Sequence, residues 1–166
     1  PRTSSAASDV YKRQVLDKGI HITSTAPISA YYEVNRQNNP DIFALKGNNA
    51  LGTSFHLPFQ NFTSNGYTSS PSGFDVVATD DNTTITIIPT QDLIGHPAGV
   101  AFDVFLPFAG STYSARATST SAAAHPVGTT ITSDLPVAVT MHDDSCSGAA
   151  FGCLLYTSDA ADDVRG

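Results

Sequence analysis

Long charged side chains and tryptophan are almost missing from this sequence. It contains no tryptophan, a single glutamate (Glu33) and 8 lysine and arginine residues in all. Helices held together by Glu–Lys pairs need more of these side chains. Nucleic acids and anionic membranes are bound by clustered lysine and arginine, and this chain has a net charge of −7. We therefore expect a β-rich protein with no nucleic-acid partner. We also expect no membrane insertion, because no apolar run reaches the roughly 18 residues that a membrane helix needs.

Both ends of the chain match the translation of one oligonucleotide. Residues 4–14 read SSAASDVYKRQ and residues 153–162 read CLLYTSDAAD. Each resembles a translation of a transposase adapter used in sequencing libraries, one from each DNA strand. Segments of this kind are left out of fold reasoning. We therefore expect residues 1–14 and 153–166 to be non-native, and residues 15–152 to be one partial all-β domain with a single native cysteine, Cys146.

The interior of the chain consists of short apolar or alternating runs, which are separated by glycine, proline, asparagine and aspartate. Such runs are typical of β-strands, and a helical period of 3.6 residues is absent. Residues 61–73 are rich in serine, threonine, asparagine and glycine and are predicted to form a loop. Strands are predicted at 19–24, 27–34, 41–46, 52–59, 74–79, 83–89, 100–106, 112–117, 128–133 and 136–141.

Two neighbouring runs form the clearest hairpin pattern in the chain. Residues 74–79 and 83–89 are strong strand formers, and Asp81 and Asn82 between them tolerate turn geometry. The pattern predicts an antiparallel hairpin with Val76, Ile85 and Ile87 facing a core.

A second pattern occurs twice. Gly19–Tyr32 and Gly128–Met141 align without a gap, sharing an initial glycine, Ile-Thr-Ser and a later proline. If the two copies are equivalent, Ile22 and Ile131 point into the same kind of apolar layer. Four short strands in each unit, repeated, is the spacing of β-propeller blades. We therefore predict an all-β fold of antiparallel four-stranded meander units in a propeller-like repeat, with a β-sandwich as the alternative.

Residues with ligand or catalytic chemistry are scattered along the chain. Residues 142–146 (HDDSC) lack the second ligand pair of a zinc site, and residues 80–83 (DDNT) lack the spacing of a calcium loop. Serine, histidine and aspartate are all present, but the nucleophile elbow, the P-loop and the metalloprotease motif are not. We therefore predict that the chain is not an enzyme and assign no catalytic, cofactor-binding or metal-binding residue.

Two further residue types have a binding interpretation and a simpler one. Asn61 and Asn82 each begin a tripeptide of the glycan-acceptor pattern, which is common by chance in a threonine-rich chain. The aromatic residues alternate within predicted strands and are therefore predicted to be core residues, not a ligand platform. They are Tyr31, Tyr32, Phe43, Phe55, Phe59, Phe74, Phe102, Phe105 and Phe108.

Four segments in order resemble a known family. They are KGIHITSTAPISAYY (18–32), IFALKGNNALGTSF (42–55), FDVVATDDNTTITIIP (74–89) and GTTITSDLPVAVTMHDD (128–144). Together they are similar to the N-terminal domain of the IgGFc-binding protein family. In animals the name-giving member is a secreted mucus protein said to bind the Fc region of immunoglobulin G, and the bacterial relatives resemble large secreted or surface proteins of unknown ligand.

The resemblance implies an exported, non-catalytic binding, adhesion or scaffold domain, most similar to a bacterial surface or secreted relative. Its expected partner is a protein or a glycan, and its expected location is extracellular or at the cell surface. The resemblance carries over no binding residue and no cofactor. The alternative function is an accessory module, or a fragment, of a carbohydrate-active or other hydrolytic enzyme.

Overall fold

A computed structural model describes residues 15–34 and 41–143 of the chain. The predicted non-native ends at 1–14 and 153–166 lie outside these residues. Within the described ranges the helical elements are two short 3-10 turns, Gly47–Ala50 and Ala122–Ala124. The strands are β1 (Val15–Asp17), β2 (Ala30–Val34), β3 (Asp41–Leu45), β4 (Gly52–His56), β5 (Gly73–Ala78), β6 (Thr83–Ile88), β7 (Phe102–Leu106), β8 (Ser111–Arg116) and β9 (Thr130–His142).

Seven of these strands form one antiparallel sheet. Their order is β1-β8-β5-β9-β6-β7, and β4 pairs with β9 off this path. Strands β7 and β8 also approach each other, so the sheet curves into a nearly closed, barrel-like layer. The all-β, antiparallel prediction is confirmed, and the pairings are compatible with the sandwich alternative as well. We call residues 51–143 the barrel.

The long strand β9 holds the barrel together because it pairs with three strands. Residues 130–133 pair with β6 and residues 137–142 pair with β5, whereas residues 134–136 pair with neither. The pairing with β4 shifts register in the same region. The sequence predicted two strands here with a linker between them. The structure has one strand whose pairing changes at the predicted linker.

The predicted hairpin of β5 and β6 is wrong. In the described part of the chain these strands share no ladder; both run antiparallel to β9 and therefore follow each other in the same direction. The residues between β5 and β6 therefore do not reverse the direction of the chain. Asn82 has a φ of 60° and its N–H donates to the Pro107 carbonyl, while Asp81 accepts a hydrogen bond from the Ala109 N–H. The burial predicted for the two strands is confirmed, since Val76, Ile85 and Ile87 are fully buried.

The repeated sequence pattern does not correspond to equivalent structure. Ile131 is fully buried in β9, whereas Ile22 is 53% exposed in a stretch before β2 that forms no strand. Pro136 lies inside β9, and Pro27 precedes the first residue of β2 by three positions. The predicted strand at 19–24 is therefore also wrong. The shared sequence does not give the same structure because pairing partners decide whether an extended segment joins a sheet, and Ile22 has none among the described residues.

The barrel encloses one hydrophobic core. Strands β5 and β6 bury alternate residues, as expected for strands with one face inward. The core residues are Leu57, Phe59, Phe74, Val76, Ala78, Ile85, Ile87, Leu93, Val104, Leu106, Tyr113, Ala115, Ile131 and Val137. No helix among the described residues is long and apolar enough to cross a membrane.

Candidate functional site

The described residues offer two candidate sites, a buried polar cluster and an exposed apolar hairpin. The polar cluster lies where the end of β9 meets the loop after β4. His125 is fully buried, and its Nδ1 lies 2.7 Å from the Gln60 carbonyl oxygen. The side-chain nitrogen of Gln60 lies 2.9 Å from the Thr63 carbonyl and 3.3 Å from Asp143 Oδ2. Gln60 therefore connects this loop with His125 and with the end of β9.

Gln60 contacts His125 Nδ1 through both its side chain and its backbone carbonyl. Gln60 Oε1 accepts hydrogen bonds from the N–H groups of Phe62 and Thr63, which fixes the orientation of the amide. Gln60 Nε2 donates to the Thr63 carbonyl and also lies 2.8 Å from His125 Nδ1 and 3.3 Å from Asp143 Oδ2. His125 Nδ1 in turn lies 2.7 Å from the Gln60 carbonyl oxygen. His125 Nε2 is buried and has no hydrogen-bond partner among the described residues.

The cluster contains the residue types of a hydrolytic triad but not its geometry. A triad needs aspartate on one histidine nitrogen and the serine hydroxyl on the other. Here Nδ1 binds a backbone carbonyl, and the Asp143 carboxylate is 3.7 Å away. The buried Ser72 hydroxyl, on the residue that precedes β5, has no hydrogen-bond partner in the described part of the chain and is not bound to Nε2. The cluster therefore connects a loop to a strand, and its groups are not arranged to activate a nucleophile.

An open depression of about 320 Å³ lies beside the cluster. It is lined by Pro58, Phe59, Gln60, Met141, His142 and Asp143. The segment 142–146 (HDDSC), which contains possible metal ligands, begins at this depression. Asp144, Ser145 and Cys146 lie outside the described residues. Within the described ranges no three histidine, cysteine, aspartate or glutamate side chains are grouped to hold a metal ion.

Burial shifts the pKa of two side chains elsewhere in the barrel. His96 stacks on Phe102 with ring centroids 3.5 Å apart, and burial lowers the pKa of His96. Burial also raises the pKa of Tyr113, a core residue. In both cases burial disfavours the charged form of the side chain. The two glycan-acceptor asparagines, Asn61 and Asn82, are both exposed.

The second candidate lies in the segment before the barrel. We call residues 18–34 and 41–50 the arm; its strands β2 and β3 form a separate two-stranded sheet. The arm makes up less than a quarter of the described residues but carries half of their exposed large hydrophobic side chains. These eight are Ile20, Ile22, Ile28, Tyr31, Tyr32, Ile42, Phe43 and Leu45. Exposed apolar surface of this density marks an interaction site.

Both faces of the hairpin expose large apolar side chains, and Glu33 lies opposite Ile42 on one of them. Tyr32 lies opposite Phe43, and their ring centroids are 5.3 Å apart at an interplanar angle of 37°. The other face presents Tyr31 and Ile42, which are 64% and 58% exposed. An isolated two-stranded hairpin is marginally stable in water. Among the described residues the arm is therefore an exposed apolar surface and a candidate interaction surface.

The prediction that these nine aromatic residues belong to the core is corrected here. Phe59 and Phe74 are buried, and Phe55 and Phe102 pack against the core. The exposed ones are Tyr31, Tyr32, Phe43, Phe105 and Phe108. The adjacent tyrosines at 31–32 could have indicated this exposure. Successive strand residues point to opposite faces, so a core on one side of the strand covers only one of the two.

A family model matches most of the chain. The sequence model of the family described as IgGFc binding protein matches residues 41–159. The match begins at β3 and includes the whole described barrel. No curated protein and no solved structure matches the chain.

Proposed function

The chain belongs to the IgGFc-binding protein family, and from this membership we propose that it is a non-catalytic extracellular binding domain that recognises a protein through its arm. The family match supports a binding role. The observation that carries the finer proposal is the arm, where aromatic and aliphatic side chains are exposed on both faces of a hairpin. Buried aromatic anchors dominate the energetics of protein interfaces.

A glycan ligand is the second candidate, and the barrel offers a surface that suits it. Phe105 is 55% exposed beside Asp103, whose carboxylate accepts a hydrogen bond from Thr86 Oγ1 at 2.6 Å. An exposed ring next to a carboxylate can hold a sugar by its apolar face and its hydroxyl groups. The arm supports a protein ligand more strongly because it exposes more large aromatic and aliphatic side chains.

The enzymatic alternative, an accessory module or fragment of a hydrolytic enzyme, requires a converging nucleophile and base. The arrangement of His125, Asp143 and Ser72 described above gives it no support. The family description names the Fc region of immunoglobulin G, which makes purified Fc the first protein ligand to test.

The test compares two pairs of equally exposed aromatic residues. Biolayer interferometry of the whole chain with purified Fc, together with a glycan array, is run on the Tyr31→Ala/Tyr32→Ala variant and on the matched barrel variant Phe105→Ala/Phe108→Ala. We expect the arm variant to weaken protein binding by about 10-fold or more, because truncated aromatic anchors cost over about 1 kcal/mol. The barrel variant is expected to leave it unchanged. Glycan binding that only the barrel variant abolishes would replace this proposal with the second candidate.

A further inference from the structure

We propose that strand β2 of the arm pairs edge to edge with β2 of a second copy of this chain, so that two arms form one four-stranded antiparallel sheet. This inference rests on the proposed function, since it takes the arm as the binding surface and names one partner for it.

The edge of β2 is open. Within residues 15–34 and 41–143 the only ladder of β2 is the one with β3. An unpaired strand edge is a template for another strand, and three or more strands make a hairpin independently stable. Proteins commonly protect such edges with proline, lysine or a bulge. The strand AYYEV has one charged residue, Glu33, but no proline or lysine, and its pairing with β3 shows no register shift.

The sequence of β2 complements itself. An antiparallel pairing centred on Tyr32 sets Tyr31 opposite Glu33 of the second copy, and Glu33 opposite Tyr31 of that copy. The two glutamates therefore do not face each other, which avoids like charges in directly opposed positions.

The pairing also aligns the aromatic side chains. Tyr32 lies opposite Phe43 within each hairpin. Joining two copies at Tyr32 therefore gives one row across four strands, with a tyrosine from each copy at the centre and a phenylalanine at each end. Such an interface is isologous, with the same patch on both subunits, and closes as a dimer. Each chain carries a net charge of −7. Added salt screens the repulsion between copies, so we expect self-association to strengthen with ionic strength.

Sedimentation equilibrium of the whole chain tests the proposal, because a dimer doubles the mass of 17.4 kDa. We expect the wild type to associate reversibly with increasing concentration. Tyr32→Lys alone and Tyr32→Glu alone should each stay monomeric, because two like charges meet at the dimer axis. An equimolar mixture of the two variants should dimerise, because opposite charges then meet there. Phe105→Lys, a matched exposed aromatic of the barrel, should associate like the wild type.

The outcomes separate this inference from the proposed function. A wild type that stays monomeric at all concentrations overturns the pairing of copies, whereas loss of ligand binding in the arm variant would still support the arm as a surface for another protein. Self-association that persists in both single variants also overturns it, because the interface then lies elsewhere. A mixture that remains monomeric contradicts the antiparallel register centred on Tyr32. Circular dichroism of each variant checks that the barrel remains folded.

Discussion

The barrel and the arm use similar strand-forming sequences, but only the barrel covers them. In β6 the residues Ile85 and Ile87 alternate with threonine and are fully buried. In β2 the neighbouring residues Tyr31 and Tyr32 are both more than half exposed. Burying one such side chain contributes about 1.5–3 kcal/mol. Buried side chains therefore stabilise the barrel, while the arm leaves its apolar surface available for a partner.

The largest expected difference in the free energy of unfolding is between alanine substitutions of one phenylalanine from each region. Phe74 is fully buried in β5, whereas Phe43 in β3 is 38% exposed. Phe74→Ala should lower the free energy of unfolding by about 3–5 kcal/mol, because it removes core contacts and leaves a cavity. Phe43→Ala should change it by less than about 0.5 kcal/mol. Urea denaturation followed by circular dichroism measures both, and equal losses would show that the arm shares the core.

A smaller effect is expected from two strand glycines. A Cβ at Gly73 in β5 would lie 2.5 Å from the Ala115 carbonyl oxygen and 2.7 Å from the His142 ring. A Cβ at Gly52, where β4 begins beside the arm, would meet only the tip of the Phe55 ring, at 3.1 Å. We expect Gly73→Ala to destabilise the chain by about 2 kcal/mol, because a backbone atom of β8 has to move. The matched Gly52→Ala should cost less than half as much. Thermal unfolding of both variants checks the order, and a reversed order would contradict the tight packing of β5 on β8.

Sequence reasoning found most strands but not how they pair. Residues 83–89 alternate cleanly, so both the strand and its buried isoleucines were predictable. The turn at Asp81 and Asn82 was predictable too, because these residues tolerate a positive φ. The direction in which the chain continues after this turn was not predictable. The long strand β9, some 50 residues away in sequence, pairs with both flanking strands and keeps them running in one direction. Local patterns contain no information about such a distant partner.

The candidate sites were predictable to a smaller extent. The residue types of a hydrolytic triad could be read from the sequence, but the contact between His125 and Gln60 joins residues 65 positions apart and depends on the fold. The arm was missed because an alternating or aromatic run predicts a strand without saying what covers it. Only the adjacent aromatics at 31–32 indicated a strand with two apolar faces.

Native-state hydrogen exchange at low micromolar concentration tests the central claim most directly, because it measures local stability residue by residue. The account predicts that amides of β5, β8 and β9 exchange through global unfolding. Amides of β2 and β3 should be protected at least about 100-fold less, since a lone hairpin opens locally. Protection of the arm should rise with protein concentration if copies pair through β2. Equal protection in the arm and the barrel at low concentration would contradict the account, because the arm would then be part of the folded core.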